Sequence, residues 1–188
     1  MDRLLTNLLL YTRPVHLARG WHLAVSLIDD SIKLAAHAIT KMPVEIRVDI
    51  SQEIHSMWCH DGQLKQVLVN LVVNAVQAMP NGGVLAISLS QEPPQTLGLP
   101  AVRLTVRDSG IGIPPAHQSR IFDPFFSTKD AGTGLGLAIV YSIVDAHQGR
   151  IDVDSTVGQG TACSIILPHP AIGGDPHTVQ TPTRNELE

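Results

Sequence analysis

The sequence predicts an α+β fold, a two-layer sandwich with helices on one face of a mixed, mostly antiparallel sheet. Three observations carry that prediction. Stretches with apolar residues at helical spacing alternate with stretches whose apolar residues recur every second position. The elements run helix, strands, helix, strands, long loop, helix, hairpin. The chain has 188 residues, 44% hydrophobic and 16% charged, enough for one buried core and an appendage but not for a disordered polymer.

Residues 2–12 read as a short helix with Leu4, Leu5, Leu8 and Leu9 in a stripe, ended by Arg13-Pro14. A helix this short is marginal alone, so its stripe calls for a partner. Residues 14–20 read as a linker. Residues 21–39 read as an amphipathic helix with Trp21, Val25, Ile28, Ile32, Ala35 and Ile39 apolar. The period then drops to two: Val44, Ile46, Val48 and Ile50 alternate with polar residues, and Ser56–Cys59 forms a second short strand. Asp61 is the expected N-cap of a helix reaching about Met79, where Asn81-Gly82-Gly83 stops it. Strands follow around Leu85–Leu89 and Val102–Val106, joined by the Pro-rich stretch 92–100.

Residues 109–132 form a long irregular segment, and such loops in compact domains are usually functional or disordered. A helix from about Thr133 to His147 and a hairpin of 150–155 with 161–167 close the domain, 21–168. Residues 169–188 read as a flexible tail.

Composition removes several function classes. A net charge of −4 supplies no field for non-specific nucleic-acid binding. Cys59 and Cys163 are too few for a disulfide scaffold or zinc cluster and read as reduced core thiols. No apolar run is long enough to span a membrane and no signal-peptide core opens the chain, so a cytoplasmic location is expected. All three phenylalanines, Phe122, Phe125 and Phe126, fall together, which is not the pattern of general core filling.

The helix Gln66–Met79 carries no charge, and Gln66, Asn70, Asn74 and Gln77 form one stripe along it. A solvated stripe usually recruits Lys and Glu, whereas uncharged amides suit a site whose charge arrives with the ligand. An Asn oxygen is a hard ligand suited to magnesium. Asp108 falls in phase with Val102, Leu104 and Val106, hence on the core side, with Gly110 and Gly112 beside it. A carboxylate next to a backbone slot fits an exocyclic amine such as that of adenine, although Asp-x-Gly also occurs in ordinary turns. Gly132-Thr-Gly-Leu-Gly at a helix start exposes N–H groups to anions, phosphate first among them, with Lys129 just upstream. The glycine triplet and the lysine are each weak signals alone.

Together these residues resemble the ATP-binding domain of sensor histidine kinases. Asn70-Leu-x-x-Asn74-Ala-x-x-Ala78, Asp108-x-Gly110-x-Gly112-Ile-Pro, Phe122-Asp-Pro-Phe-Phe126 and Gly132-Thr-Gly-Leu-Gly-Leu137 look like its N, G1, F and G2 boxes in order. The superfamily also holds DNA gyrase, MutL and heat-shock chaperone ATPases. Gln77 in the N box looks most like the nitrogen-regulation type.

The resemblance implies the Bergerat α/β sandwich, binding ATP and magnesium. Asn74, with Asn70 assisting, would hold the metal, and these two with Lys129 would serve phosphoryl transfer. Nucleotide contact is implied for Asn74, Gln77 and Ala78, for Asp108, Gly110, Gly112 and Ile113, and for Thr161. It is also implied for Phe122 and Lys129 on the lid, and for Gly132, Thr133, Gly134, Leu135, Gly136 and Leu137. Phe122, Phe125 and Phe126 would pin the lid.

In gyrase-like ATPases a glutamate stands at the position of Asn70 and activates water; an amide cannot act as that base, which favours transfer to a protein side chain. None of the nine histidines has the family's acceptor context, so the acceptor helix is expected upstream, residues 1–13 being the end of the dimerisation hairpin. A homodimer through that hairpin, a response-regulator receiver domain as partner and a parent anchored in a membrane are further expectations. A serine kinase or ATPase of the same superfamily, or an interaction module with a decayed site, are the alternatives.

Overall fold

The computed structural model describes residues 18–170 apart from 41, 130 and 131. The helix expected at 2–12 lies outside the described residues. The elements are β1 (Gly20–Leu23), α1 (Ala24–Ile39), β2 (Val44–Ile50), β3 (Ser56–Cys59), α2 (Asp61–Gln77), β4 (Gly83–Glu92), β5 (Ala101–Asp108), α3 (Pro115–Gln118), α4 (Gly136–Ala146), β6 (Arg150–Thr156) and β7 (Gly160–Pro168).

Five strands form one sheet in the order β2-β4-β5-β7-β6. Only β2 and β4 pair in parallel, because β3 and α2 intervene as a crossover; the remaining pairs are antiparallel. α2 lies between α1 and α4, and the three helices share one face of the sheet. Leu64, Val67, Leu68, Leu71 and Val72 of α2 interleave there with Leu85, Ile87 and Leu89 of β4, Leu104 and Val106 of β5, and Ile165 of β7, all buried. The expected sandwich is therefore present.

Four expectations need correction. Trp21, His22 and Leu23 are not the start of a helix. They form β1, antiparallel to β3, and the Trp21 and Trp58 rings meet at a tilt of 54° with centroids 5.3 Å apart. Val25, expected on the apolar stripe, is 64% exposed; Ala24, Leu27, Ile28, Ser31 and Ala35 form the buried face instead. Asp61 is the first helical residue of α2, and the cap is His60, whose Nδ1 accepts from Gln63 N at 3.3 Å. His169, assigned to the tail, is buried: its Nε2 donates to Ser56 O at 2.7 Å and its ring meets Trp21 edge-on.

Candidate nucleotide site

α2, β5 and the start of α4 enclose a cavity of about 630 Å³. β5 ends where its two-residue period delivers Asp108 to the helix-covered face, paired in register with Thr161 of β7. Asp108 Oδ1 accepts from Gly110 N at 2.8 Å and from Thr161 N at 3.2 Å. Oδ2 has no protein partner among the described residues, and Asp108 lines the cavity although only 6% exposed. Desolvation raises its pKa above the ordinary carboxylate value, partly offset by the Gly110 and Thr161 N–H groups and by the Lys129 charge. The result is a fixed acceptor with one oxygen reserved for a guest.

Gly110 cannot carry a side chain, since a Cβ there would stand 2.3 Å from Ala78 O. The neighbouring Ile111 N donates to that same carbonyl at 3.0 Å, so the turn after β5 is sewn to the end of α2.

Asn70, Asn74, Gln77 and Ala78 form a wall from α2, and Gln66, one turn earlier, does not reach the cavity. The Asn70 Nδ2 position is buried with no hydrogen-bond partner. Opposite stands the start of α4: a Cβ at Gly136 would lie 3.7 Å from Asn70 Oδ1 and 3.8 Å from Asn74 Nδ2. No side chain caps α4, which leaves the N–H groups of its first turn, at the cavity, without side-chain partners.

On the remaining side the cavity is lined by Pro114, His117, Ile121, residues 126–129 and Gly132. Lys129 Nζ crosses the mouth to Gln77 Oε1 at 2.7 Å. Surrounding protein desolvates this ammonium and lowers its pKa, while Asp108 acts in the opposite sense.

Of the expected contacts, Asn70, Asn74, Gln77, Ala78, Asp108, Gly112, Ile113, Lys129, Gly132, Thr133, Gly134, Gly136, Leu137 and Thr161 line this one cavity. Gly110, Phe122 and Leu135 do not. Gly110 anchors Asp108, Leu135 is buried in the core, and Phe122 packs on Tyr141 with centroids 5.8 Å apart. The three phenylalanines do not act alike. Phe126 lines the cavity beneath Arg120, whose guanidinium is 4.6 Å from the ring centroid. Phe125 is 67% exposed and pins the loop only through its backbone, N to Gly134 O at 2.9 Å, in a left-handed conformation (φ 68°).

His117, Ile121 and Cys163 line the cavity without having been singled out for it. Cys163 was detectable, because the two-residue period puts it on the face of Thr161. Burial pushes its thiol up to about 12, with Asp108 adding to the effect, so it is an inert wall.

The family model described as "Histidine kinase-, DNA gyrase B-, and HSP90-like ATPase" matches residues 59–171. The chain belongs to this family. Sporulation kinase E of Bacillus subtilis is 32% identical over 89% of this chain and 22% of its own length. Sensor histidine kinase ZraS of Escherichia coli is 34% identical over 89% of this chain and 35% of its own length. The chain thus spans a fifth to about a third of these curated relatives. Among solved structures, full-length ShkA in complex with AMPPNP superposes with a TM-score of 0.78 at 26% identity, covering 93% of this chain and 36% of that one. The catalytic domain of histidine kinase ThkA gives 0.70 at 31% identity, covering 81% of this chain and 96% of that domain. Like other members of this family, the chain is built as an ATP-binding domain. No helix among the described residues is long and apolar enough to cross a membrane.

Proposed function

We propose that this chain is the catalytic domain of a sensor histidine kinase, passing the γ-phosphoryl group of Mg-ATP to a histidine on an upstream helix for relay to a response-regulator aspartate. The observation that carries the reading is the joining of Asp108, Asn70, Asn74 and the start of α4 around one cavity. The free oxygen of Asp108 is an acceptor for the adenine amine, and the uncapped turn of α4 with Lys129 receives phosphates.

The donor set fits magnesium. The oxygen donors that α2 presents to the cavity are the side-chain amides of Asn70, Asn74 and Gln77, hard neutral ligands. Asn70 has a buried amide position without a partner, and its oxygen and nitrogen exchange places by a simple rotation. A magnesium ion that keeps waters and phosphate oxygens needs only one or two such ligands, for which Asn74 with Asn70 is the assignment. When bound, the metal neutralises phosphate charge. The chain itself orients the triphosphate between α2 and α4 and, through the loop carrying Phe126, shields it from water.

The amide of Asn70 has no basicity to activate water, which favours transfer over hydrolysis and sets aside the gyrase-like alternative. The relatives named as histidine kinases, ZraS among them, favour histidine over serine as acceptor. The parent protein would dimerise through the acceptor hairpin.

The test is transfer in trans. The chain, γ-labelled ATP and a separate hairpin bearing an acceptor histidine should give acid-labile label on the hairpin and none on this chain's histidines. Label on serine, or free phosphate alone, would count against it.

A further inference from the structure

Gln77 closes the amide stripe, but its geometry differs from that of Asn70 and Asn74. Its carbonyl oxygen already has a partner, the ammonium of Lys129 at 2.7 Å. The lysine backbone is held too. Ser127 Oγ accepts from Lys129 N at 3.0 Å and donates to Lys129 O at 3.1 Å, and Gly132 N donates to the same carbonyl at 3.1 Å. The lysine is thereby fixed at its root by a turn and at its tip by the last turn of α2.

A lysine ammonium is a point charge on a flexible stem and loses substantial rotamer entropy when localised. A neutral carbonyl takes one of its three N–H groups without cancelling its charge, leaving two for anionic oxygens. A carboxylate there would pair with the charge and repel phosphate. Lys129 and Gln77 line the same cavity as Asn70 and Gly134.

We infer that Gln77 is a positioning residue, an amide strut that holds the Lys129 ammonium over the phosphate end of the cavity and acts on nucleotide through Lys129 alone. This replaces the direct nucleotide contact expected for Gln77 and rests on the ATP reading above.

The experiment is a calorimetric titration of ATP and AMP into the chain, Q77A, K129A, the double variant and Q77E. K129A should weaken ATP binding roughly tenfold or more, the scale of a charge-assisted hydrogen bond. Q77A should weaken it less, and the double variant should match K129A, the non-additivity of residues acting as one unit. Q77E should fall below Q77A for ATP. AMP binding and melting temperature should hold throughout. Additive losses in the double variant, an unchanged ATP affinity in Q77A, or an equal loss for AMP would overturn the strut. Should the parent chain bind no ATP, the ATP reading fails and the strut with it; should ATP bind while Q77A and K129A act independently, only the strut fails.

Discussion

The two ends of the cavity are built differently. At the end with Asp108, the turn after β5 is fastened to three other elements: Ile111 to α2, Gly158 N to Ile111 O at 2.8 Å, and Ile113 N to Ser155 Oγ at 2.8 Å on β6. Ser155 Oγ in turn meets Thr161 Oγ1 at 2.8 Å. At the end with Lys129, the described part of the loop is held near the lysine by its own turn, by the Phe125 N–Gly134 O bond and by the side-chain bond to Gln77, its earlier part being tied by Gln118 Nε2 to Ser155 O at 3.0 Å and by Phe122 packed on Tyr141. The proposed base contact is therefore part of the fold, whereas the proposed phosphate end is assembled from a loop with few long-range ties. Changes at the first end should alter stability as well as binding, in the same or opposite directions, and changes at the second should alter binding alone.

The sharpest test of that contrast is Asp108→Asn. Its Oδ1 can keep both backbone bonds, while the amide NH₂ replaces the free acceptor. ATP affinity should fall about 100-fold, the scale of a lost charged acceptor left facing a donor. Stability should rise instead. A carboxyl whose folded pKa is raised costs stability increasingly as pH climbs through the unfolded value near 3.8 and beyond the folded one, so at neutral pH the cost is complete and Asn removes it. Thermal melts at pH 7 should show a rise; an unchanged melting point would detach Asp108 from the fold, and a drop would mean that the bonds its carboxylate accepts from Gly110 and Thr161 outweigh its desolvation.

Paired glycine variants come next. Gly110→Ala drives a Cβ to 2.3 Å from Ala78 O between two packed elements. About 2 kcal/mol or more of overpacking should lower the melting point by roughly 4–8 °C. Gly134→Ala also meets backbone, Phe125 C at 2.3 Å, from a left-handed φ of 66°. That strain falls on the loop, so ATP affinity should drop several-fold while the melting point moves by about 2 °C or less. Equal melting losses in both variants would erase the distinction between the two ends.

The smallest effect lies away from the cavity. His147 Nδ1 donates to Ile143 O at 2.8 Å and Nε2 accepts from His60 N at 3.1 Å, which ties the end of α4 to the cap of α2 and demands a neutral ring. Burial lowers its pKa, aided by the Arg19 and His60 charges and opposed by the Ile143 carbonyl. Below about pH 6.5 the unfolded chain gains a proton that the folded chain refuses, so stability falls with pH. Melts from pH 8 to 5 should show a shallower slope for His147→Asn, from a lower starting point.

The residues on regular elements were more legible in the sequence than those around them. Asp108 and the amide stripe follow from strict periods of two and of three to four, and the structure keeps both. β1 was missed because Trp21-His22-Leu23 fits either period and its partner β3 lies more than thirty residues away. His60 was missed as a cap because Asp61 is the commoner capping residue. Phe125 differs from its neighbours: Phe122 and Phe126 pack through their rings, whereas the backbone bond to Gly134 holds Phe125 with its ring exposed, which no local pattern signals. What was lost in each case is a partner set by tertiary contact rather than by local pattern.

Amide hydrogen exchange with and without Mg-ATP tests the central claim most directly. Residues 70–78, 106–113 and 127–137 should all slow on nucleotide addition, with the largest gain in 127–137, whose ties are fewest. Slowing confined to the helix-free face of the sheet around Arg103, or in only one of the three segments, would contradict a single cavity that grips both ends of the nucleotide.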